Sequence, residues 1–238
     1  TEQRTKGKLR HSRWRAPQGA HRACSQIFTS PTQTFPMTTS PLALLRKEAA
    51  TCRACPLWAG ATQTVFGEGA SAARLMLVGE QPGDKEDLAG KPFVGPAGAL
   101  LDQALNECGI AGEAVYITNA VKDFKWELRG KRRMHKTPAQ KEIDACHSWL
   151  AQELAAVKPK LVIALGATAS RALLGHALSI QENRGKLLRM ADDTALVVTV
   201  HPSFLLRVPR EFKADAYQEF IADLTVAKRA LSSIGPPR

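Results

Sequence analysis

Two apolar runs that end abruptly in polar, turn-forming residues constrain this chain most. Arg74-Leu75-Met76-Leu77-Val78 runs into Gly79-Glu80-Gln81-Pro82-Gly83, and Ala195-Leu196-Val197-Val198-Thr199-Val200 runs into His201-Pro202-Ser203. Runs with so little polar alternation predict strands buried on both faces of a parallel sheet. Ligands of open α/β sheets bind just beyond the carboxyl ends of such strands. Both motifs therefore point to one crevice, which would hold a carboxylate, an amide, an imidazole and a hydroxyl.

The remaining punctuation extends this plan. Apolar runs at 114–118 (AVYIT) and 161–165 (LVIAL) add two strands, and helical patterns fall at about 42–50, 97–108, 137–157, 167–174 and 213–231. Thr137-Pro138-Ala139-Gln140 reads as a capping-box start with proline at the first helical position. Lys122 to Lys136 reads as a long polar stretch. Strands alternating with helices predict a three-layer α/β/α sandwich around a four-stranded, mostly parallel sheet.

Residues 1–40 lack a sustained hydrophobic period and are rich in Arg, Thr, Ser and Gln, the composition of a disordered basic tail. Such a tail suits a DNA-tethering arm, a transit-type presequence or an over-extended start. The third is favoured, with Met37 the native start, because nothing before Met37 has a folding pattern. Residues 41–238 are then the folded domain. No apolar run approaches the roughly 20 residues that span a bilayer, so a soluble, cytoplasmic, nucleoid-associated protein with no membrane partner is expected. The excess of 33 basic over 22 acidic residues, +11 in all, favours a polyanionic partner. Seven of the cations lie in the first 40 residues beside a single acid, Glu2, so nucleic-acid binding must be argued from the site. Five cysteines, an odd number, suit a reducing compartment. Cys52 and Cys55 form a C-x-x-C pair and Cys146 stands alone before His147. Cys108 falls at helical spacing from Leu101 and Leu105 and reads as core, and Cys24 as a bystander in the tail.

Taken together, GEQPG, GKPFVGPAG, ITNAVK, LGATA and HPSFLLR, in that order between about Leu44 and Leu224, resemble the uracil-DNA glycosylase superfamily, in particular its iron–sulfur family-4 enzymes. The inserted Gly130-Lys131-Arg132-Arg133-Met134-His135-Lys136 is similar to the basic loop of the UdgX subfamily. Members of that subfamily become covalently joined to uracil-containing DNA through the loop histidine, here His135. The resemblance implies excision of uracil from DNA, preferentially single-stranded, by a monomer that is trapped on the abasic sugar. It implies that His201 stabilises the departing base, that Asn119 reads its edge and that Phe93 stacks on its face. Gln81 would help hold the base, and Glu80 would face the sugar. Ser203 and Arg207 would contact the DNA backbone or shape the loop, and Asp84 and Arg133 complete the implied substrate-binding set. Lys131, Arg132 and Arg133 would keep His135 unprotonated by like-charge repulsion.

The resemblance also implies a 4Fe-4S cluster on Cys52, Cys55 and Cys146. Where family-4 proteins have a fourth cysteine this chain has Asp123, a harder and less usual cluster ligand. A structural zinc on three cysteines and one oxygen donor is the alternative. His147, next to Cys146 on one helix, would point elsewhere. Two rival functions remain open: a turning-over family-4 glycosylase whose basic loop only grips DNA, and a non-catalytic uracil-DNA sensor.

Overall fold

The computed structural model describes residues 40–234, so the expectations for the tail, Met37 and Cys24 lie outside the described residues. The strands are β1 (Glu68–Gly69), β2 (Leu75–Gly79), β3 (Val115–Asn119), β4 (Trp126–Arg129), β5 (Arg132–His135), β6 (Leu161–Leu165), β7 (Leu187–Arg189) and β8 (Ala195–Thr199). The helices are α1 (Pro41–Ala49), α2 (Asp84–Ala89), α3 (Pro96–Glu107), α4 (Gln140–Val157), α5 (Ala167–Leu174), α6 (Ile180–Asn183), α7 (Pro202–Arg207) and α8 (Lys213–Ser233).

Strands β3, β2, β6 and β8 lie side by side and parallel, as the four apolar runs require. Two short antiparallel edges, β1 beside β3 and β7 beside β8, widen the sheet to six strands. At two and three residues these edges are too short to leave a period in the sequence, and their brevity helps to blunt the sheet's open margins. Alternate residues of each central strand serve opposite faces. Met76, Val78, Val162, Ala164, Leu196 and Val198 pack with Ile143, Cys146 and Leu150 of α4 and with Ala169 and Ala172 of α5. Leu75, Leu77, Ile163, Leu165 and Val197 pack with Leu101 and Leu105 of α3 and with Phe220 and Leu224 of α8. This is the expected α/β/α sandwich. Among the described residues no helix is long and apolar enough to cross a membrane.

Two local expectations need correction. Helix α4 begins at Gln140 with Ala139 as its N-cap, so Pro138 precedes the helix rather than opening it. The cap comes from Glu142, whose Oε2 accepts the Ala139 N–H at 2.6 Å and the Lys125 ammonium at 2.7 Å. The polar stretch before it is not featureless either. Within it β4 and β5 form an antiparallel hairpin, with Trp126 opposite His135 and Arg129 opposite Arg132. Its two-residue turn is Gly130-Lys131, and the φ of +62° at Gly130 suits the first position of a type II′ turn.

Candidate active site

The carboxyl ends of β2, β3 and β8 open into a cleft of about 520 Å³, within the usual range for small-molecule sites. Its lining includes Glu80, Gln81, Phe93, Asn119, His135, His201, Ser203 and Arg207, eight of the ten residues expected at the substrate. Asp84 and Arg133 are not part of that lining.

Gly79, the last residue of β2, pairs in register with Asn119, the last of β3. A Cβ on Gly79 would collide with Asn119 Oδ1 and lie 2.6 Å from Phe93 Cζ. Glycine here lets the amide and the phenyl ring close over the strand end. Phe93 itself sits at φ +56°, a left-handed conformation that costs a residue with a Cβ of order 1–3 kcal/mol. That strained backbone brings its ring to 5.8 Å from the His201 ring, centroid to centroid. Asn119 is buried, and its Oδ1 has no hydrogen-bond partner. An orphaned buried acceptor carries a desolvation cost, and it suits a ligand that brings an N–H donor.

His201 caps α7. Its Nδ1 accepts the Ser203 N–H at 3.2 Å and lies 2.9 Å from Ser203 Oγ. A backbone N–H can only donate, so the neutral ring must carry its proton on Nε2. Burial pushes the His201 pKa down to about 4 against the pull of the Glu80 carboxylate. The ring is therefore a neutral Nε2–H donor at physiological pH.

Burial also acts on Glu80, in the upward direction. Hydrogen bonds from His135 and Thr168 and the nearby imidazoles outweigh it, leaving Glu80 below the usual carboxylate range and ionised. Thr168 Oγ1 donates to Glu80 Oε2 at 2.6 Å, while Glu80 Oε1 lies 3.3 Å from His135 Nε2. Thr168 escaped sequence reading, because one threonine within LGATA carries no signal of its contact 88 positions away.

On β5 the side chains alternate, so Arg133 and His135 share a face, and both rest on Phe124. The Arg133 guanidinium carbon is 5.5 Å from that ring's centroid, and the His135 ring is 6.3 Å away. Arg133 pairs with Asp84 (2.7 Å) and with fully buried Asp87 (2.6 Å), both on α2. It is the bolt that fixes the hairpin to α2 and thereby presents His135, whose side chain is 48% exposed, to the cleft. The like-charge surroundings expected from sequence neighbours are not what His135 faces: Arg133 is neutralised by two aspartates, and the group at Nε2 is Glu80.

Behind β3, Cys52, Cys55, Asp123 and Cys146 line one small cavity. Burial pushes the Cys146 thiol up to about 12, and also raises Cys55 and Asp123. Uncompensated anions there would be costly, and a bound cationic group would offset that cost. The donor set therefore fits a thiolate-held metal group. Among the described residues no three His, Cys, Asp or Glu side chains converge as a single ion needs. His147 is exposed, on the far side of α4 from this cavity. Cys108 is only half-buried, with its thiol 3.7 Å from the Ile221 carbonyl.

Residues 66–225 match the family model of the uracil DNA glycosylase superfamily. The chain belongs to that superfamily. It is 40% identical over 157 residues to the type-4 uracil-DNA glycosylase of Thermotoga maritima, covering 66% of this chain and 78% of that protein. The type-4 uracil-DNA glycosylase of Pyrobaculum aerophilum is 37% identical over 174 residues, 69% of this chain and 85% of that enzyme. A type-5 superfamily member from the same organism is 36% identical over 117 residues, 43% of this chain and 48% of its own length.

Proposed function

We propose that this protein excises uracil from DNA and is then joined covalently to the abasic sugar through His135. The observation that carries the reading is the approach of His135 Nε2 to Glu80 Oε1, at 3.3 Å, on the rim of the cleft that also holds Phe93, Asn119 and His201. Similarity to type-4 uracil-DNA glycosylases supports the substrate.

A flipped-out uracil would stack on Phe93 and give its N3–H to the unpartnered Asn119 Oδ1. The glycosidic C1′–N1 bond then breaks, and its electron pair leaves on uracil. Negative charge gathers on the uracil oxygen nearest His201, which lines the cleft and would donate its neutral Nε2–H there. Positive charge gathers on the sugar, where ionised Glu80 stabilises it. In the resting site His135 Nε2–H faces the Glu80 carboxylate at 3.3 Å; exchange through solvent moves that proton to Nδ1, and Nε2 then gives its lone pair to C1′. The resulting imidazolium loses the Nδ1 proton to solvent, and the uracil anion takes up a proton from solvent. An imidazole bonded to C1′ is a poor leaving group, so each molecule would act once.

The decisive test is incubation with uracil-containing single-stranded DNA and a denaturing gel. A heat-stable shifted band is expected. Strand scission after alkali with no shifted band would mean an ordinary turning-over glycosylase, and neither product would mean binding alone.

Cys52, Cys55, Cys146 and Asp123 would hold an iron–sulfur cluster. Its contribution there is structural, tying the Cys52 turn, the Asp123 loop and α4 together. Iron and acid-labile sulfide are expected in the purified protein, and zinc alone would overturn this assignment.

A further inference from the structure

Gln81 lines the cleft, yet its amide is engaged by the hairpin backbone. The side chain is buried, and its amide makes three hydrogen bonds to the neck of the β4–β5 hairpin. Oε1 accepts the Lys125 N–H at 3.1 Å, while Nε2 donates to the Lys125 and Lys136 carbonyls, each at 3.1 Å. Lys125 and Lys136 face each other across that neck, where the Lys136 N–H also donates to the Lys125 carbonyl at 3.0 Å. His135 is the next residue along.

We propose that Gln81 is a positioning residue that clamps both stems of the hairpin and so sets where His135 stands over the sugar; this rests on the reading of His135 as the capturing group. The argument is geometric. Glu80 and Gln81 leave β2 in succession. One faces the His135 ring, and the other grips the backbone on either side of the hairpin. An isolated two-stranded hairpin is marginal in water, and this one carries exposed Leu128, Arg129, Lys131 and Arg132. Its order must come from its anchorage. Arg133 bolts its middle to α2, and Gln81 bolts its root to β2, the strand that also delivers Glu80. A fixed distance from Glu80 to His135 follows from both groups hanging on one rigid strand end. Only an amide of this length can accept from one backbone N–H and donate to two carbonyls at once.

The test pairs amide hydrogen exchange with the product ratio. In Gln81→Ala, exchange at the Lys125 and Lys136 amides is expected to rise about tenfold or more, while Leu77 and Ile163 in the sheet stay protected. The ratio of covalent adduct to free uracil should fall by about 10- to 100-fold, the usual scale for a reacting group displaced by about 1 Å. Taking a ratio removes any slowing of excision itself. Gln81→Glu keeps the acceptor for Lys125 but loses donation to both carbonyls. It should free the Lys136 side while the Lys125 amide stays protected, and it carries the test if the alanine variant does not fold. Unchanged exchange at both neck amides would overturn the clamp. Faster exchange with an unchanged ratio would overturn its role in placing His135. Faster exchange in a protein whose parent forms no adduct would leave the clamp standing and sink the covalent reading instead.

Discussion

Replacing His135 with glycine is expected to remove the denaturant-stable DNA adduct while allowing uracil release to continue, now with turnover. The substitution takes away the ring that would reach C1′ and leaves Phe93, Asn119 and His201 in place, because none of them is built around His135. The space it vacates opens directly to solvent, since the ring is about half exposed, and it borders Glu80 Oε1. Water entering there meets an ionised carboxylate already oriented by Thr168, which positions it for attack on the sugar cation. Adduct yield should drop by at least about 100-fold, the scale on which loss of a placed reacting group is felt, while uracil released per enzyme rises above one. Mass spectrometry of the digested wild-type adduct should place the sugar on the peptide bearing His135. The competing nucleophiles are less well placed: Lys131 sits at the hairpin tip, and the Lys136 ammonium is paired with Glu127 at 3.1 Å. An adduct that survives His135→Gly, or maps to either lysine, would point to Schiff-base trapping instead.

The parts of this protein that are legible in the sequence are those that repeat a local physical pattern. Four strands buried on both faces announce themselves as unbroken apolar runs, and the polar residues at their carboxyl ends announce the cleft. The edge strands Glu68–Gly69 and Leu187–Arg189 leave no such pattern because two or three residues span no period. The hairpin is hidden in the sequence for a different reason. It has no buried face of its own: Leu128 and Met134 are exposed, and the charged residues between the apolar ones make the segment look like a solvated stretch. Arg133 illustrates the limit well. As one of three consecutive cations it reads as a phosphate contact. Its partners Asp84 and Asp87 lie nearly fifty positions earlier, and only the docking of the hairpin on α2 brings them together. Gln81 is similar: the sequence marks it as part of the site, but not that its amide faces the hairpin neck. The buried pair Lys122 and Glu153, at 2.5 Å, was also invisible, since their contact forms only when α4 packs behind β3.

His201→Ala is expected to slow adduct formation and uracil release together, in contrast to the split caused by His135→Gly. Departure of the base precedes capture by either nucleophile, so the lost donor is felt in both products. The cost should be about 2.7–4 kcal/mol, or 10²–10³ in rate, by analogy with removal of one oxyanion-hole donor. The same residue sets a pH signature. Because burial holds its pKa at about 4, well under the ordinary 6.5, His201 stays neutral through the range where an exposed histidine would protonate. As the pH falls from about 6.5 towards 4, the unfolded chain binds a proton that the native His201 refuses. Native stability should therefore decline across that window, and in His201→Ala that part of the decline should be absent. Chemical denaturation at a series of pH values measures it. Single-turnover uracil release supplies the second readout. Above pH 4 the base-facing Nε2–H persists, so no titration of His201 near 6.5 should be visible in the rate. A rate that follows a group titrating near 6.5, and loses that dependence in His201→Ala, would show that the imidazolium is the working form and that the neutral-donor mechanism is wrong.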